Sequence, residues 1–433
     1  MDMEQFDPEE WELEGFGEQK PPKRKSDFAR GMAAGVMVTV LAAAALTLAL
    51  RFVVAPKERE GLAAEPKEGQ AEEEQRVFDS SVEKKMSEIA DLIDEYYYEA
   101  VDKDAMAEGV YAGMVSGLGD PYSNYFTAEE YASFHESTSG LYFGIGVVLN
   151  QDAKTKVITV RHVYPGTPAE EAGMKDGDIL AQVKDLDISD MELAEVVTHI
   201  KGEEGSTVHL RLIREGEADY VEMDVERRQI EVPTVQYQML EGDIGFIQIS
   251  EFAESTPEQF EEAITEMQGN GMKSMIVDLR DNPGGVLQSV CTMLDDILPE
   301  GLVVYTEDKY GNRSDYKSDK ECMDIPMAVL INENSASASE IFAGAVKDYG
   351  YGTLIGTKSF GKGIVQTIIP LQDGSAVKVT MAKYFTPKGN YIHEVGIAPD
   401  IELEYKYLEE SDETYNPMHD NQVQKAIEVL QQE

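Results

Sequence analysis

Two residues in the C-terminal part of the chain, Ser337 and Lys362, have the chemistry and the surroundings that nucleophilic catalysis requires. Ser337 lies in a run of small polar residues, 332–340, which follows the apolar segment 327–331 and opens onto a helical pattern. At such a strand–turn–helix junction the helix-terminal N–H groups favour negative charge. A serine hydroxyl is a weak nucleophile until a neighbouring base removes its proton. The segment therefore predicts a nucleophile that needs a base.

Lysine is the candidate base, because no histidine lies near Ser337 in sequence and the six histidines form no recognisable constellation. Lys362 stands between two glycines and next to the apolar residues Phe360 and Ile364. Burial in such surroundings lowers the pKa of a lysine toward neutrality. Gln366 could orient the amine by a hydrogen bond, as the third group of a catalytic triad does.

A purely structural role for both residues fits the same segment. Ser337 and Glu340 form the S-x-x-E pattern of a capping box, in which the serine only terminates the helix. The Gly-Lys-Gly turn would also suit a surface hairpin with a solvated lysine. Taken alone, the segment leaves both alternatives open.

The complete string resembles the signature of the carboxy-terminal processing peptidases, also called tail-specific proteases. Its parts are Ser-Ala-Ser-Ala-Ser-Glu at 335–340 and Phe-Gly-Lys-Gly at 360–363. The resemblance implies that Ser337 is the nucleophile, that Lys362, 25 positions later, is its base, and that Gln366 completes the site. It also implies an α/β core like that of crotonases and Clp proteases, and the activity of a serine endopeptidase.

An oxyanion hole is predicted where Asn-Pro-Gly-Gly, residues 282–285, joins a buried strand to a helix. Backbone N–H groups presented there, together with the N–H of Ala338, could bind the oxyanion of an acyl-transfer intermediate. The family resemblance implies the same arrangement, and the sequence leaves open whether Gly284 or Gly285 donates. The Gly-Asn-Ser-Gly-Gly motif of His-triad serine proteases is absent, which argues against a trypsin-like enzyme.

Residues 138–228 change to short alternating strands with one amphipathic helix and resemble a PDZ domain. PDZ domains add an extended peptide to a sheet edge and hold its terminal carboxylate in a nest of backbone N–H groups. The alternative is a PDZ domain that serves only as a spacer. The candidate peptide-binding residues are Leu141, Gly144, Ile145, Gly146 and Val147.

The N-terminal region predicts a membrane anchor at 31–55, because residues 31–50 carry no charge over a length that can span a bilayer. Five Lys or Arg residues lie within 20–30, so the positive-inside rule places the N-terminus in the cytoplasm and the rest of the chain outside. A cleaved signal peptide is the alternative, but its n-region and h-region would both be overlong.

The chain thus divides into a cytoplasmic tail (1–30), the anchor, a polar linker (56–79), a helical part (80–137), the PDZ domain and a protease core (229–433). The apolar face of the first helix suits either core packing or the seam of a homo-oligomer. The turn Asp-Pro-Tyr-Ser at 120–123 also resembles a segment of the family and is interpreted as structural.

The composition narrows the partners of the protein. Its formal net charge of −46 argues against nucleic-acid binding. No Cys, His and carboxylate spacing indicates a metal, and no cofactor motif is recognised. Of the two cysteines, Cys291 lies on an apolar helix face, which favours a free buried thiol over a bridge to Cys322. The sequence therefore predicts a membrane-anchored α/β serine protease acting on polypeptides. The alternative is a non-catalytic, anchored PDZ adaptor on an inactive protease fold.

Overall fold

The computed structural model describes residues 80–409 and 415–432. The predicted tail, anchor and linker therefore lie outside the described residues. Within these two ranges, no helix is long and apolar enough to cross a membrane.

The helix α1 (Ser80–Tyr96) belongs to a unit that ends at Lys103. It carries no buried residue, and its large apolar side chains, among them Ile89, Leu92 and Tyr96, are exposed. The apolar face of α1 therefore does not pack into a core formed by the described residues of its unit.

The second unit begins with elements that lead from the N-terminal helices to the PDZ domain: α2 (Lys103–Ser116), β1 (Asn124–Phe126) and α3 (Ala128–Ser139). Helix α3 begins with a capping box, in which the Thr127 side chain accepts from the N–H of Glu130 and the Glu130 carboxylate accepts from the N–H of Thr127. It ends at Gly140, whose φ of 72° is the left-handed conformation that suits glycine.

The PDZ region follows as an antiparallel sheet in the order β3-β4-β5-β7-β8, with the short strand β6 paired to β5. A separate two-stranded ribbon of β2 and β9 pairs the chain entering this region with the chain leaving it. The elements are β2 (Leu141–Gly144), β3 (Val147–Gln151), β4 (Ile158–Val163), α4 (Pro168–Glu171), β5 (Ile179–Val183), β6 (Leu186–Asp187), α5 (Leu193–Ile200), β7 (Thr207–Ile213), β8 (Val221–Glu226) and β9 (Arg228–Glu231).

The protease core is built on a six-stranded sheet in the order β10-β11-β12-β15-β16-β19, in which only β10 runs antiparallel to its neighbour. Its elements are β10 (Val235–Leu240), β11 (Ile244–Ile249), α6 (Thr256–Gly269), β12 (Ser274–Asp278), α7 (Leu287–Ile297), β15 (Met327–Ile331), α8 (Ala338–Tyr349), β16 (Gly352–Gly356), β19 (Ile401–Glu402) and α9 (Asn421–Leu430). Strands β12 and β15 are buried throughout, as expected for parallel strands covered on both faces.

A second, antiparallel sheet contributes the other wall of the core. Its order is β1-β18-β13-β14, and β17 pairs with β18. The strands not yet given are β13 (Gly301–Asp308), β14 (Arg313–Ser318), β17 (Ile364–Pro370) and β18 (Ala376–Phe385).

The parallel pairing of β12 with β15 brings the two predicted catalytic segments together. Asp278 and Leu330 are partners at the carboxyl ends of these strands, so residues 279–285 and 332–337 leave the sheet at the same edge. Ligand sites of open α/β sheets lie at such an edge. The fold therefore places Ser337 beside Gly284 and Gly285.

Candidate active site

Ser337 occupies the turn between β15 and α8 in a conformation that is uncommon for a residue with a side chain. Its φ is 54° and its ψ is −113°, and the next residue, Ala338, begins the helix. Backbone strain of this kind persists only when the surrounding structure enforces it. The turn therefore must be held by its neighbours.

The two outer serines of the Ser-Ala-Ser-Ala-Ser run supply that support. The hydroxyl of Ser335 donates to the carbonyl of Leu279 at 2.7 Å, and the hydroxyl of Ser339 donates to the carbonyl of Asn282 at 2.9 Å. Both serines are fully buried, whereas Ser337 is partly exposed. Ser335 and Ser339 thus fix the turn, and Ser337 is the serine that a substrate can reach.

Glu340 joins this turn to the lysine turn. Its carboxylate is completely buried and accepts four hydrogen bonds. Oε2 accepts from the N–H of Ser337 at 3.0 Å and from the N–H of Lys362 at 2.8 Å. Oε1 accepts from the N–H of Gly361 at 2.7 Å and from the hydroxyl of Ser359 at 2.6 Å. Burial raises the pKa of this carboxyl, and the four hydrogen bonds oppose the rise. The predicted capping pair is thus also a bridge to Lys362.

Lys362 lies in the turn before β17, and its backbone is held from two sides. Besides the bond to Glu340, its carbonyl accepts from the hydroxyl of Tyr384 at 2.6 Å, and the same hydroxyl lies 3.1 Å from the carbonyl of Ser337. Its Nζ lies 5.0 Å from the ring centroid of Tyr122. The two turns therefore share two buried groups that fix their relative position.

The environment of the Lys362 amine favours its neutral form. Burial lowers the pKa of Lys362, and the positive charge of Lys378 lowers it further. The negative charges of Glu340 and Asp120 act in the opposite direction without reversing the shift. A lysine with a lowered pKa can act as a general base.

Ser337 and Lys362 line one cavity of about 410 Å³. Predicted site residues that share this cavity are Gly284, Gly285, Ala338 and Gln366. Its walls also include apolar side chains such as Phe252, Ile341 and Val365. The structure thus brings together the predicted nucleophile, the predicted base and the glycine turn, which are far apart in the sequence.

The two glycines of the turn differ in what their N–H groups do. The N–H of Gly284 donates to Oδ1 of Asn282 at 2.8 Å. Gly285 is exposed, and neither its N–H nor that of Ala338 donates to a protein group in the described part of the chain. Gly284 also has a φ of 105°, and a Cβ there would lie 2.7 Å from Cβ of Ser337. Gly284 therefore allows close approach, while Gly285 and Ala338 have N–H groups to offer.

Gln366 lines the cavity, but its described hydrogen bond goes elsewhere. Its Nε2 donates to Oγ1 of Thr380 on the neighbouring strand β18 at 3.3 Å. The predicted bond from Gln366 to the amine of Lys362 is absent from the described contacts, so its orienting role stays a prediction.

Two residues beside the base were missed from the sequence. Tyr122 belongs to the turn interpreted as purely structural, yet its ring lies against the amine of Lys362. Lys378 lines the cavity as a second lysine. The likeness of the 120–123 turn to a family segment was a signal for Tyr122, whereas no local pattern marks Lys378.

A second cavity of about 270 Å³ lies in the PDZ region beside the glycine loop. Four of the five predicted peptide-binding residues line it: Gly144, Ile145, Gly146 and Val147. Leu141 does not; it lies in the ribbon, paired with Glu231. Successive residues of a strand face opposite sides, so Tyr142 and Gly144 of this strand share the groove side and Leu141 does not. Tyr142 and Lys201 line the groove instead.

Both cysteines are free thiols, with Cys291 buried and Cys322 exposed. Burial raises the pKa of Cys291 to about 12, so this thiol stays protonated and inert at neutral pH.

Comparison with known proteins identifies the three regions of the chain. Residues 243–403 match the model of peptidase family S41, residues 133–213 match the PDZ domain, and residues 40–130 match the N-terminal domain of the activating protease CtpB.

Relatives cover most of the chain. A probable CtpA-like serine protease of Staphylococcus saprophyticus is 35% identical over 355 residues, which is 80% of this chain and 71% of the relative. One of Staphylococcus aureus (strain COL) is 36% identical over 330 residues, 75% of this chain and 66% of the relative. Among solved structures, the photosystem II D1 C-terminal processing protease is 28% identical in sequence, with a TM-score of 0.44. Its match covers 75% of this chain and 88% of the chain of that protease. The chain thus spans about two thirds of the S. aureus relative.

The α/β core and the comparisons together define a serine protease that carries a PDZ domain. The chain belongs to peptidase family S41 and is related to the CtpA-like serine proteases. The family predicted from the Ser-Ala-Ser-Ala-Ser-Glu and Phe-Gly-Lys-Gly strings is confirmed, and the class of these relatives is that of an enzyme rather than an adaptor.

Proposed function

We propose that this protease is an endopeptidase that cleaves polypeptides with Ser337 as nucleophile and Lys362 as general base. The observation that carries the proposal is that both side chains line one cavity, in which burial lowers the pKa of the lysine. The neutral amine removes the hydroxyl proton as Oγ attacks the peptide carbonyl. The resulting ammonium then protonates the leaving amine, and water hydrolyses the acyl-enzyme with the same lysine as base.

The N–H groups of Gly285 and Ala338 are the proposed oxyanion hole. Both are free of other acceptors in the described part of the chain and line the same cavity as Ser337. Gly284 supports them by its close approach to Ser337, where a Cβ would also lie 2.9 Å from the nitrogen of Ala338. Donors aimed at the developing oxyanion contribute a factor of about 100 to 1,000 to kcat. The proposal therefore resolves the choice between the glycines in favour of Gly285.

Casein hydrolysis by matched variants tests the dyad. Ser337→Ala and Lys362→Ala should lose activity, and so should Lys362→Arg, because an arginine side chain does not deprotonate in a protein. Lys358→Ala removes an exposed lysine from the same segment and should leave hydrolysis unchanged. A folded Lys362→Arg enzyme with near-wild-type activity would exclude Lys362 as the base.

We further propose that residues 31–55 anchor the protease in the cytoplasmic membrane with the catalytic region outside. The support is the uncharged stretch and the excess of basic residues before it. Proteolytic shaving of intact cells should remove the C-terminal regions and spare an N-terminal tag. Loss of the tag with survival of the PDZ region would show the opposite orientation.

The PDZ groove is proposed to recognise the C-terminus of the substrate and so to control access to Ser337. Support comes from the groove beside the glycine loop, where Gly146 has a φ of 84° and a Cβ would lie 2.3 Å from Cβ of Thr167. One peptide with a free and an amidated C-terminus distinguishes recognition from a spacer role. The preference for the free carboxylate should be lost in Val197→Asp, which alters the groove, and kept in Thr198→Asp, which alters its exposed neighbour.

A further inference from the structure

Lys378 is a half-buried cation that the proposed mechanism does not use. It lies on β18 and lines the same cavity as Ser337 and Lys362. Two aromatic rings hold its amine, with Nζ 5.3 Å from the ring centroid of Phe126 and 5.5 Å from that of Phe134. Such contacts favour a cation over a ring face.

The charge of Lys378 has no ion-pair partner in the described residues. No carboxylate of residues 80–409 or 415–432 lies within 4.0 Å of its Nζ. Asp120 attracts it from farther away, but that carboxylate already accepts from the hydroxyl of Ser123 at 2.6 Å and from the N–H of Tyr122 at 3.0 Å. Desolvating an unpaired charge is costly. An anion bound in the cavity would compensate this cost.

The other charged groups on the cavity wall leave room for such an anion. They are Lys362 and Glu251, and burial raises the pKa of Glu251. In a chain with a net charge of −46, the active-site cavity thus carries two lysines and one half-buried glutamate. Because the proposed mechanism uses Lys362 as a neutral amine, Lys378 is the cation that this wall offers to an anion.

Strand register places Lys378 within reach of a bound polypeptide. Lys378 pairs with Ile368, and two residues along the strands Thr380 pairs with Gln366; Ile368 and Gln366 both line the cavity. A sphere of the cavity's volume is about 9 Å across, the length of about three residues of extended chain. A group bound by Lys378 therefore lies within a few residues of the bond attacked by Ser337.

We propose that Lys378 binds a carboxylate of the substrate polypeptide, within about three residues of the scissile bond. The inference rests on the proposed catalytic role of this cavity. Two sources have the same chemistry: the terminal carboxylate of a substrate cut close to its end, and the side chain of an Asp or Glu residue. The site is separate from the PDZ groove, because the residues lining the two cavities do not overlap.

The test uses quenched fluorescent peptides cut by the full-length enzyme at one bond mapped by mass spectrometry. One pair carries a free or an amidated C-terminus within three residues beyond that bond. A second, amidated pair carries Glu or Gln at each position in turn within three residues of it. The carboxylate member of at least one pair should be favoured about tenfold in kcat/KM, as expected for a charge-assisted hydrogen bond.

Substitutions in β18 test whether Lys378 causes the preference for the carboxylate. Lys378→Met should bring the ratio of the two kcat/KM values within each pair close to one, and Lys378→Arg should leave the preference for the carboxylate in place. Lys383→Met removes an exposed lysine of the same strand outside the cavity and should leave the ratio unchanged. Because the two peptides of a pair are compared on the same variant, any effect of Lys378 on the pKa of Lys362 cancels in the ratio of their kcat/KM values. The pair that responds identifies the source of the carboxylate. A wild-type enzyme without preference, or a preference that persists in Lys378→Met, overturns the proposal.

Binding measured without turnover separates this proposal from the proposed catalytic mechanism. The same peptides are bound to the Ser337→Ala chain and to its Lys378→Met derivative, with fluorescence anisotropy as the readout. The carboxylate member should bind about tenfold more weakly to the derivative, while its neutral partner is unaffected. If the wild-type enzyme cleaves no peptide, the catalytic proposal fails, and this comparison alone decides the role of Lys378. Equal loss of affinity for both members would overturn the proposal.

Discussion

Replacing Glu340 by glutamine changes one atom of the buried group that joins the nucleophile turn to the lysine turn. Each carboxylate oxygen accepts two hydrogen bonds, one pair from the N–H groups of Ser337 and Lys362 and the other from Gly361 and Ser359. An amide has a single acceptor oxygen and presents N–H groups on its other side. It can therefore serve only one of the two pairs.

The hydrogen bonds around Glu340 decide which orientation of the glutamine amide leaves the fewest buried groups without a partner. If the amide oxygen keeps the N–H groups of Ser337 and Lys362, the hydroxyl of Ser359 can turn and accept from the amide, but the N–H of Gly361 cannot. One buried N–H without an acceptor costs about 1–3 kcal/mol of the free energy of unfolding. Because Gly361 adjoins Lys362, we also expect kcat/KM to fall by about tenfold to a hundredfold from misplacement of the base.

Denaturant midpoints and pH–rate profiles measure the two effects of Glu340→Gln. The negative charge of Glu340 raises the pKa of Lys362, so its removal should also move the rise of activity with pH to lower pH. Glu333→Gln is the matched control, since within the described residues this exposed carboxylate accepts only from the hydroxyl of Thr357. It should change stability by no more than about 0.5 kcal/mol. A Glu340→Gln enzyme with wild-type midpoint, rate and pH profile would refute the bridging role.

Four further outcomes are expected. Activity should rise with pH through the pKa of Lys362, below the usual lysine value of about 10.4, because the neutral amine is the base. Lys378→Met should move that rise to higher pH in the pH–rate profile, since the charge it removes lowers the pKa of Lys362. In urea unfolding, Arg280→Met should cost about 3–5 kcal/mol because it leaves two buried aspartates unpaired, whereas Arg313→Met, in an exposed pair, should cost about 1 kcal/mol or less. Gly284→Ala should abolish casein hydrolysis in a folded protein, since its Cβ would lie 2.7 Å from a backbone oxygen of the nucleophile turn.

Local patterns predicted the elements around the site well. The apolar segment 327–331 is a buried strand and the helical pattern after it is a helix from Ala338, because each depends on neighbours a few residues away. The helix expected after the Asn-Pro-Gly-Gly turn is observed at Leu287–Ile297 for the same reason. Apolar periodicity and capping residues are local signals, so a single sequence contains them.

Contacts between distant segments could not be predicted in this way. Tyr122 lies 240 positions from Lys362 in the chain, yet its ring centroid is 5.0 Å from the amine. The bond from the N–H of Gly284 to Asn282 is different, since it is a local Asx turn that the sequence could have indicated. Leu141 was assigned to the peptide groove because the loop and its entering strand were taken as one segment, whereas alternation along the strand places Tyr142 and Gly144 on the groove side and Leu141 on the other. Tertiary packing decided the position of Tyr122, whereas the other two contacts follow local rules.

The electrostatics of the site explain why two lysines and one buried carboxylate occur together. Glu340 holds the two turns in place, but its charge favours the protonated form of Lys362 and so opposes the proposed catalysis. Four donors already occupy its oxygens, which leaves none of them to pair with the amine. Burial and the charge of Lys378 then outweigh the remaining attraction of the Glu340 charge, and the pKa of Lys362 falls. A second lysine in the cavity thus offsets the electrostatic cost of the carboxylate that positions the first.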